Sequence, residues 1–207
     1  MAERRTGTDV GTAAATTYDV ARIRADFPIL AREVHGKPLV YLDNGASAQK
    51  PKAVLDALHH VYAHEYANVH RGLHYLSNTA TAAFEKSREI ARRFLNAEHD
   101  DEIIFTRNTT GAINTIASSL GQSFKEGDEI VLSIMEHHSN IVPWHFLRER
   151  KGCVLKWAPI SDSGEFLLEE FEKLLTKRTR VVAGTQMSNV LGTRVPIKAV
   201  TEIAHAR

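Results

Sequence analysis

Three segments gather side chains able to hold a charged ligand and move protons on it. Asn108-Thr109-Thr110-Gly111 stands where a strand pattern gives way to a helix pattern. Two hydroxyls, on Thr109 and Thr110, beside the unfilled N–H groups of a helix N-terminus form an anion site suited to phosphate. A plain threonine cap is the simpler alternative, and it accounts for only one of the two hydroxyls. Glu136-His137-His138-Ser139-Asn140 follows a second strand pattern. An imidazole there can stack on a planar ring or move protons near neutral pH, although most loop histidines are merely solvated. Ser188-Asn189 follows a third strand pattern. Its amide can hydrogen-bond a ring substituent or a carboxylate, or simply form a turn. Ligands of open parallel sheets bind beyond the carboxyl ends of the strands. Phosphate cradle, imidazole and amide facing one crevice predict a flat, phosphorylated cofactor.

Other chemistries find less support. The twelve glycines contain neither GxGxxG nor GxxxxGK, which excludes a dinucleotide fingerprint and a P-loop. His60 and His64, and likewise His70 and His74, have metal-ligand spacing, but His64-Glu65-Tyr66-Ala67-Asn68 lacks the second histidine of HExxH. No metal is expected. Cys153 opens a strand pattern in a buried setting, where a thiol behaves as a small hydrophobe and not as a nucleophile.

To hold these segments, strands and helices must alternate. Strands are expected over 38–43, 101–107, 129–135, 153–160 and 179–187. A short helix over 19–27 stops at Pro28. A second carries Pro51 in its first turn and an apolar stripe at Val54, Leu58 and Val61. A long helix starts with Ser77 as N-cap and repeats Ala80, Phe84, Ile90, Ala91, Phe94 and Leu95 at helical spacing. Further helices follow over 109–120, stopped by Gly121, over 139–150, capped by Ser139 and stopped by Gly152, over 167–175, and from Pro196 onward. This alternation implies an α/β fold with a mostly parallel sheet and helices on both faces.

Composition sets the outer limits. The 207 residues hold 43% hydrophobic and 25% charged residues, an ordinary globular mixture. Lys+Arg 26 against Asp+Glu 25 leaves +1, so no charge excess points to nucleic acid or an acidic membrane. No apolar run reaches the ~18 residues that a membrane span needs. The single cysteine cannot form an internal disulfide, which fits a reducing, cytoplasmic setting. Residues 1–17 lack the apolar core of a secretory signal. Arg4-Arg5 and the threonines resemble a transit peptide, but Glu3 and Asp9 oppose that reading, so a disordered tail is expected, with an arm over 18–36. The last residues, His205-Ala206-Arg207, fall inside an amphipathic helix with no stop signal, which raises the reading of a fragment.

In their relative order, YLDNGASAQKP, VHRGLHYLS, TRNTTGAIN, MEHHSNIVPW and MSNVLGT resemble the N-terminal half of SUF-type (group II) cysteine desulfurases, from about Val20 to Arg207. These are class V aminotransferase-superfamily enzymes. The resemblance implies an aspartate aminotransferase-like large domain, its first half spanning 37–207, and pyridoxal 5′-phosphate as cofactor. It implies that Thr109 and Thr110 meet the phosphate, that His137 stacks on the ring and assists proton transfer, and that Asn189 lies near the ring hydroxyl and the substrate carboxylate. His70 and Arg71 match a segment near the substrate entrance that faces a partner subunit. Gly111 departs from the acidic residue often found in the family at that place. The family's cofactor-binding lysine, its ring-nitrogen aspartate and its sulfur-accepting cysteine lie further along than Arg207, so these 207 residues are expected to be inactive alone. The implied activity converts L-cysteine to L-alanine and passes sulfur, as a persulfide, to a SUF acceptor protein for iron–sulfur cluster assembly, in a homodimer. Selenocysteine lyase, kynureninase-like hydrolase and aminotransferase activities are the enzyme alternatives; a truncated non-catalytic module is the alternative of another class.

Overall fold

The computed structural model describes residues 18–207, and the tail expected over 1–17 lies outside them. The chain divides into two units between Asp100 and Asp101.

In the first unit, α1 (Val20–Ala25) is capped by Asp19, whose carboxylate accepts from Arg22 N at 3.0 Å. It ends ahead of Pro28, as expected, because a residue before proline is pushed out of helical geometry; Phe27 is extended. A small antiparallel hairpin follows, β1 (Glu33–Val34) and β2 (Lys37–Pro38), turned by His35 and Gly36, both at positive φ. The strand expected over 38–43 does not form beyond Pro38. Val40 and Leu42 are 74% and 92% exposed. The two-stranded ladder stops at Pro38, and the carbonyl of Leu39 goes instead to the Arg24 guanidinium at 3.1 Å.

Pro51 is the N-cap of α2 (Lys52–His60), one position outside the first turn where it was expected. A π-helical turn, Val61–Glu65, continues α2 and carries Val61. The long helix α3 (Tyr75–Leu95) is capped by His74 and not by Ser77. Ser77 is buried inside the first turn, donating to Asn68 O at 2.7 Å and accepting from Gly72 N at 3.0 Å, so its hydroxyl is spent on the preceding loop. Asn96 ends the helix in the left-handed conformation, and Ile90, Phe94 and Leu95 of its apolar stripe are exposed.

In the second unit, the strand expected over 101–107 is absent. A 3₁₀ turn spans Asp100–Glu102, and residues 103–106 take no regular form, with Ile103 buried at 7% and Ile104 exposed at 74%. Strand geometry needs a ladder, and this segment is not part of the sheet. Then α4 (Thr109–Leu120) leads to β3 (Glu129–Ser133), α5 (Val142–Lys151), β4 (Val154–Ala158), α6 (Leu168–Leu174), β5 (Thr179–Ala183) and α7 (Ile197–His205). Gly152 stops α5 at φ +68°, as expected. Gly121 does not stop α4 by a left-handed turn; it stays right-handed at φ −61° and opens a 3₁₀ turn. Glycine is required there by packing, since a Cβ would lie 2.3 Å from Leu147 Cδ2. Nor does Ser139 cap α5. It lies within a separate 3₁₀ turn, His138–Asn140, two residues before the Ile141 cap.

The sheet is parallel in the order β4-β3-β5, with Ile130 opposite Leu155 and Val181. Every residue of central β3 is buried. Its side chains alternate between two cores. Ile130 and Leu132 pack with Trp144, Leu147 and Cys153 on the α4–α5 side. Val131 packs with Phe171, Val195 and Val200 on the α6–α7 side. The α/β arrangement, with helices on both faces of a parallel sheet, is thus present. Each strand ends earlier than its apolar run, and the loops that follow β3 and β5 carry His137 and Asn189. No described helix is long and apolar enough to cross a membrane.

Candidate active site

The carboxyl edge of the parallel sheet is assembled from three pieces of the second unit. The first is the start of α4. Asn108, not a threonine, is the cap: its Oδ1 accepts from Gly111 N at 2.8 Å, and its carbonyl accepts from Ala112 N at 3.0 Å. Both hydroxyls, Thr109 and Thr110, are therefore left out of capping, and both residues are exposed. Their N–H groups precede the first intrahelical bond. Two hydroxyls and two amides at the positive end of a twelve-residue helix match the donors a phosphate dianion needs.

The second piece follows β3. His137 is exposed and caps the 3₁₀ turn, its Nδ1 accepting from Ser139 N at 3.2 Å and lying 2.9 Å from Ser139 Oγ. An Nδ1 that accepts leaves the proton of the neutral ring on Nε2, which points the other edge of the imidazole away from its own turn. The turn packs against α4, so the imidazole segment and the helix with the hydroxyls belong to one cluster.

The third piece follows β5. Ser188 is buried and anchors the loop: its Oγ accepts from Val190 N at 3.3 Å and Leu191 N at 3.1 Å, and its N–H donates to Thr193 O at 3.0 Å. Gly192, at φ +72°, lets the chain turn back to donate its N–H to Ser188 O at 2.9 Å. This pinning leaves the amide of Asn189 exposed.

Glu136 was not singled out in the sequence, yet it joins two of these pieces. Its Oε1 accepts from Ser133 Oγ at 2.5 Å and from Thr185 N at 2.9 Å, and its Oε2 accepts from Asn140 Nδ2 at 2.8 Å. Asn140 Oδ1 in turn accepts from Trp144 Nε1 at 3.0 Å. The only local hint is that Glu136, Asn140 and Trp144 recur at helical spacing.

His70 and Arg71 belong to the first unit. His70 takes a left-handed φ of +67°, its N–H donates to Thr81 Oγ1 at 2.8 Å, and its Nε2 lies 3.1 Å from Glu85 Oε1. Arg71 is exposed. Cys153 is buried, and that burial pushes its thiol pKa up, with the Asp128 carboxylate adding to the shift. Among the described residues no group of three His, Cys, Asp or Glu side chains could hold a metal ion. A cavity of about 460 Å³ runs between β5 and α7. It touches the site only at Ser133, Gly184 and Thr185, and none of Thr109, Thr110, His137 or Asn189 lines it.

Comparison with known proteins places this edge in a family. The chain matches the aminotransferase class-V model over residues 40–207, and it belongs to that family. It is 48% identical over 199 residues to a cysteine desulfurase of Synechococcus elongatus, covering 96% of this chain and 32% of that one. It is 50% identical over 190 residues to a cysteine desulfurase of Dickeya dadantii, covering 91% and 46%. Among solved structures, an apo cysteine desulfurase from Thermococcus onnurineus superposes with a TM-score of 0.83 at 36% identity, covering 90% of this chain and 45% of that one. The chain thus spans less than half the length of these relatives. The donor set fits the group the family implies: hydroxyls and helix amides for a phosphate, an imidazole for a planar ring, and an amide for a ring substituent.

Proposed function

We propose that the full-length protein is a pyridoxal 5′-phosphate-dependent cysteine desulfurase of the SUF type, acting in the cytoplasm. It converts L-cysteine to L-alanine and hands the sulfur, as a persulfide, to an acceptor protein for iron–sulfur cluster assembly. The observation that carries this reading is that Asn108 caps α4, so Thr109 and Thr110 are both free to meet a phosphate beside the His137 turn. Sequence similarity to cysteine desulfurases supports the substrate.

When bound, pyridoxal phosphate supplies an electron sink that weakens the Cβ–S bond of cysteine. This chain's residues supply the rest. Thr109 and Thr110 hold the phosphate. His137, its Nδ1 engaged by Ser139, stacks on the ring and uses Nε2 to hold or move a proton. Asn189 orients the ring hydroxyl and the substrate carboxylate. His70 and Arg71 stand near the substrate entrance of a homodimer.

The lysine that binds the cofactor and the cysteine that takes the sulfur are supplied by a later part of the chain. These 207 residues alone therefore release no alanine. Cys153 cannot serve in their place, because it is buried and its raised pKa keeps the thiol protonated. The test is to supply the purified full-length protein with pyridoxal phosphate and L-cysteine. Visible absorbance of the bound cofactor and stoichiometric alanine and sulfide, in the presence of a reductant, are expected. Absence of both overturns the reading, and alanine from the 207-residue chain alone overturns the assignment of the missing groups.

A further inference from the structure

We propose that Glu136 is a positioning residue that holds the His137 ring by clamping its turn to the carboxyl end of β5. The inference rests on the desulfurase reading for its kinetic consequences, but its geometry stands on its own. A carboxylate has two oxygens and room for about four donors, and Glu136 uses both oxygens on three separate elements. Oε1 takes the Ser133 hydroxyl at the end of β3 and the backbone N–H of Thr185 just past β5. Oε2 takes the amide of Asn140 in the 3₁₀ turn, and that amide is fixed from behind by the buried indole of Trp144. His137 lies between Glu136 and this turn, caps it through Nδ1, and is itself exposed.

An exposed imidazole at the end of a strand would otherwise sample several rotamers. Here the flanking residues on both sides are tied down, and the tie at Thr185 also sets where the loop toward Asn189 begins. A displacement of about 1 Å in a catalytic group costs roughly a hundredfold in rate. The conserved size of glutamine makes the test discriminating: Glu136→Gln keeps an acceptor for Ser133 and Thr185 but turns a donor toward the Asn140 amide.

The experiment compares full-length parent, Glu136→Ala and Glu136→Gln proteins by steady-state kinetics and by long-range proton–nitrogen spectra of the histidine rings. The parent is expected to show His137 as one tautomer with Nδ1 accepting. Glu136→Ala should mix the tautomers and lower kcat roughly ten- to hundredfold with KM for L-cysteine changed less than about threefold. Glu136→Gln should fall between. A His137 spectrum unchanged in the alanine variant overturns the proposal, whatever happens to kcat. Should Glu136→Ala fail to fold, the ring spectrum of Glu136→Gln decides alone. If the parent retains no cofactor absorbance, the desulfurase reading fails, while the ring spectra still decide whether Glu136 positions His137.

Discussion

At the amino end of β3, Glu129 accepts from Lys156 Nζ at 2.8 Å and from the Thr176 and Thr179 hydroxyls at 2.6 and 3.2 Å. At the carboxyl end, Glu136 accepts from a hydroxyl, a backbone N–H and a side-chain amide. Both carboxylates tie β3 to the β5 side of the sheet, Glu129 through the Thr176 and Thr179 hydroxyls, and Glu129 also pairs with a charged partner, Lys156 of β4. Glu129 is 9% exposed, and its carboxylate is met by these three donors. Around Glu136, the neighbouring His137, Thr109 and Asn189 remain exposed. At the amino end the charge of Glu129 is thus met within the protein, whereas at the carboxyl end the polar side chains beside Glu136 stay open to solvent. That asymmetry is what a parallel sheet permits, because successive crossovers deliver loops and helix N-termini to the carboxyl edge.

The largest effect is expected at the carboxyl end of β3. If His137 has the proposed role, His137→Ala in the full-length protein should lower kcat by about 10²–10⁴-fold, the usual contribution of a placed proton-transfer group. Cofactor absorbance after gel filtration should persist, since the phosphate contacts proposed for Thr109 and Thr110 are untouched. Lost cofactor with unchanged turnover would reverse the roles of His137 and the threonines.

Glu129→Ala should do the opposite. Removing it strands Lys156, whose Nζ keeps only the Leu174 carbonyl at 2.9 Å. The loss of stability, read from urea unfolding, should be about 2–3 kcal/mol, below the full value for a buried pair because Lys156 is partly exposed. The kcat of the remaining folded enzyme should be unchanged. A large kcat loss there would mean that the two ends are coupled through β3.

A smaller effect is expected from Asn108→Ala. It removes the cap of α4 and should cost about 1 kcal/mol in the same unfolding experiment, while a threonine freed to cap the helix weakens retention of phosphate. Equilibrium dialysis with pyridoxal phosphate would read the second effect. Unaltered stability would show that Thr109 or Thr110 can replace the cap.

The mildest test is pH. Burial opposes ionisation of Glu129, but hydrogen bonds from Lys156 and Thr176 and the Lys156 charge outweigh it, so its carboxyl lies below the ordinary glutamate range. A carboxyl with a lowered folded pKa stabilises the fold above its unfolded pKa, and that contribution is lost as pH falls through the folded value. Glu129→Gln should therefore flatten the acid limb of the melting-temperature profile below about pH 4.3, the unperturbed value of a glutamate. A parent and variant with parallel acid limbs would remove Glu129 as the source.

Much of the second unit was legible in the residues themselves. The apolar runs of β3, β4 and β5, the helix over 109–120 and the Gly152 stop are local patterns, and each formed where its residues place it. The segments carrying Thr109, His137 and Asn189 were legible for the same reason, since each simply follows a strand or opens a helix. Strands 38–43 and 101–107 were misread because an apolar run becomes a strand only when a neighbour supplies its ladder. The capping side chain of α3 depended on the preceding loop, which had already engaged the Ser77 hydroxyl. The need for glycine at position 121 comes from Leu147 on another helix, and the role of Glu136 comes from Thr185, 49 positions away. Periodicity and end signals act over one or two turns of chain, so the sequence by itself could determine them. Hydrogen bonds and close contacts between distant segments exist only once the sheet has set their distances, so the tertiary structure alone decided those.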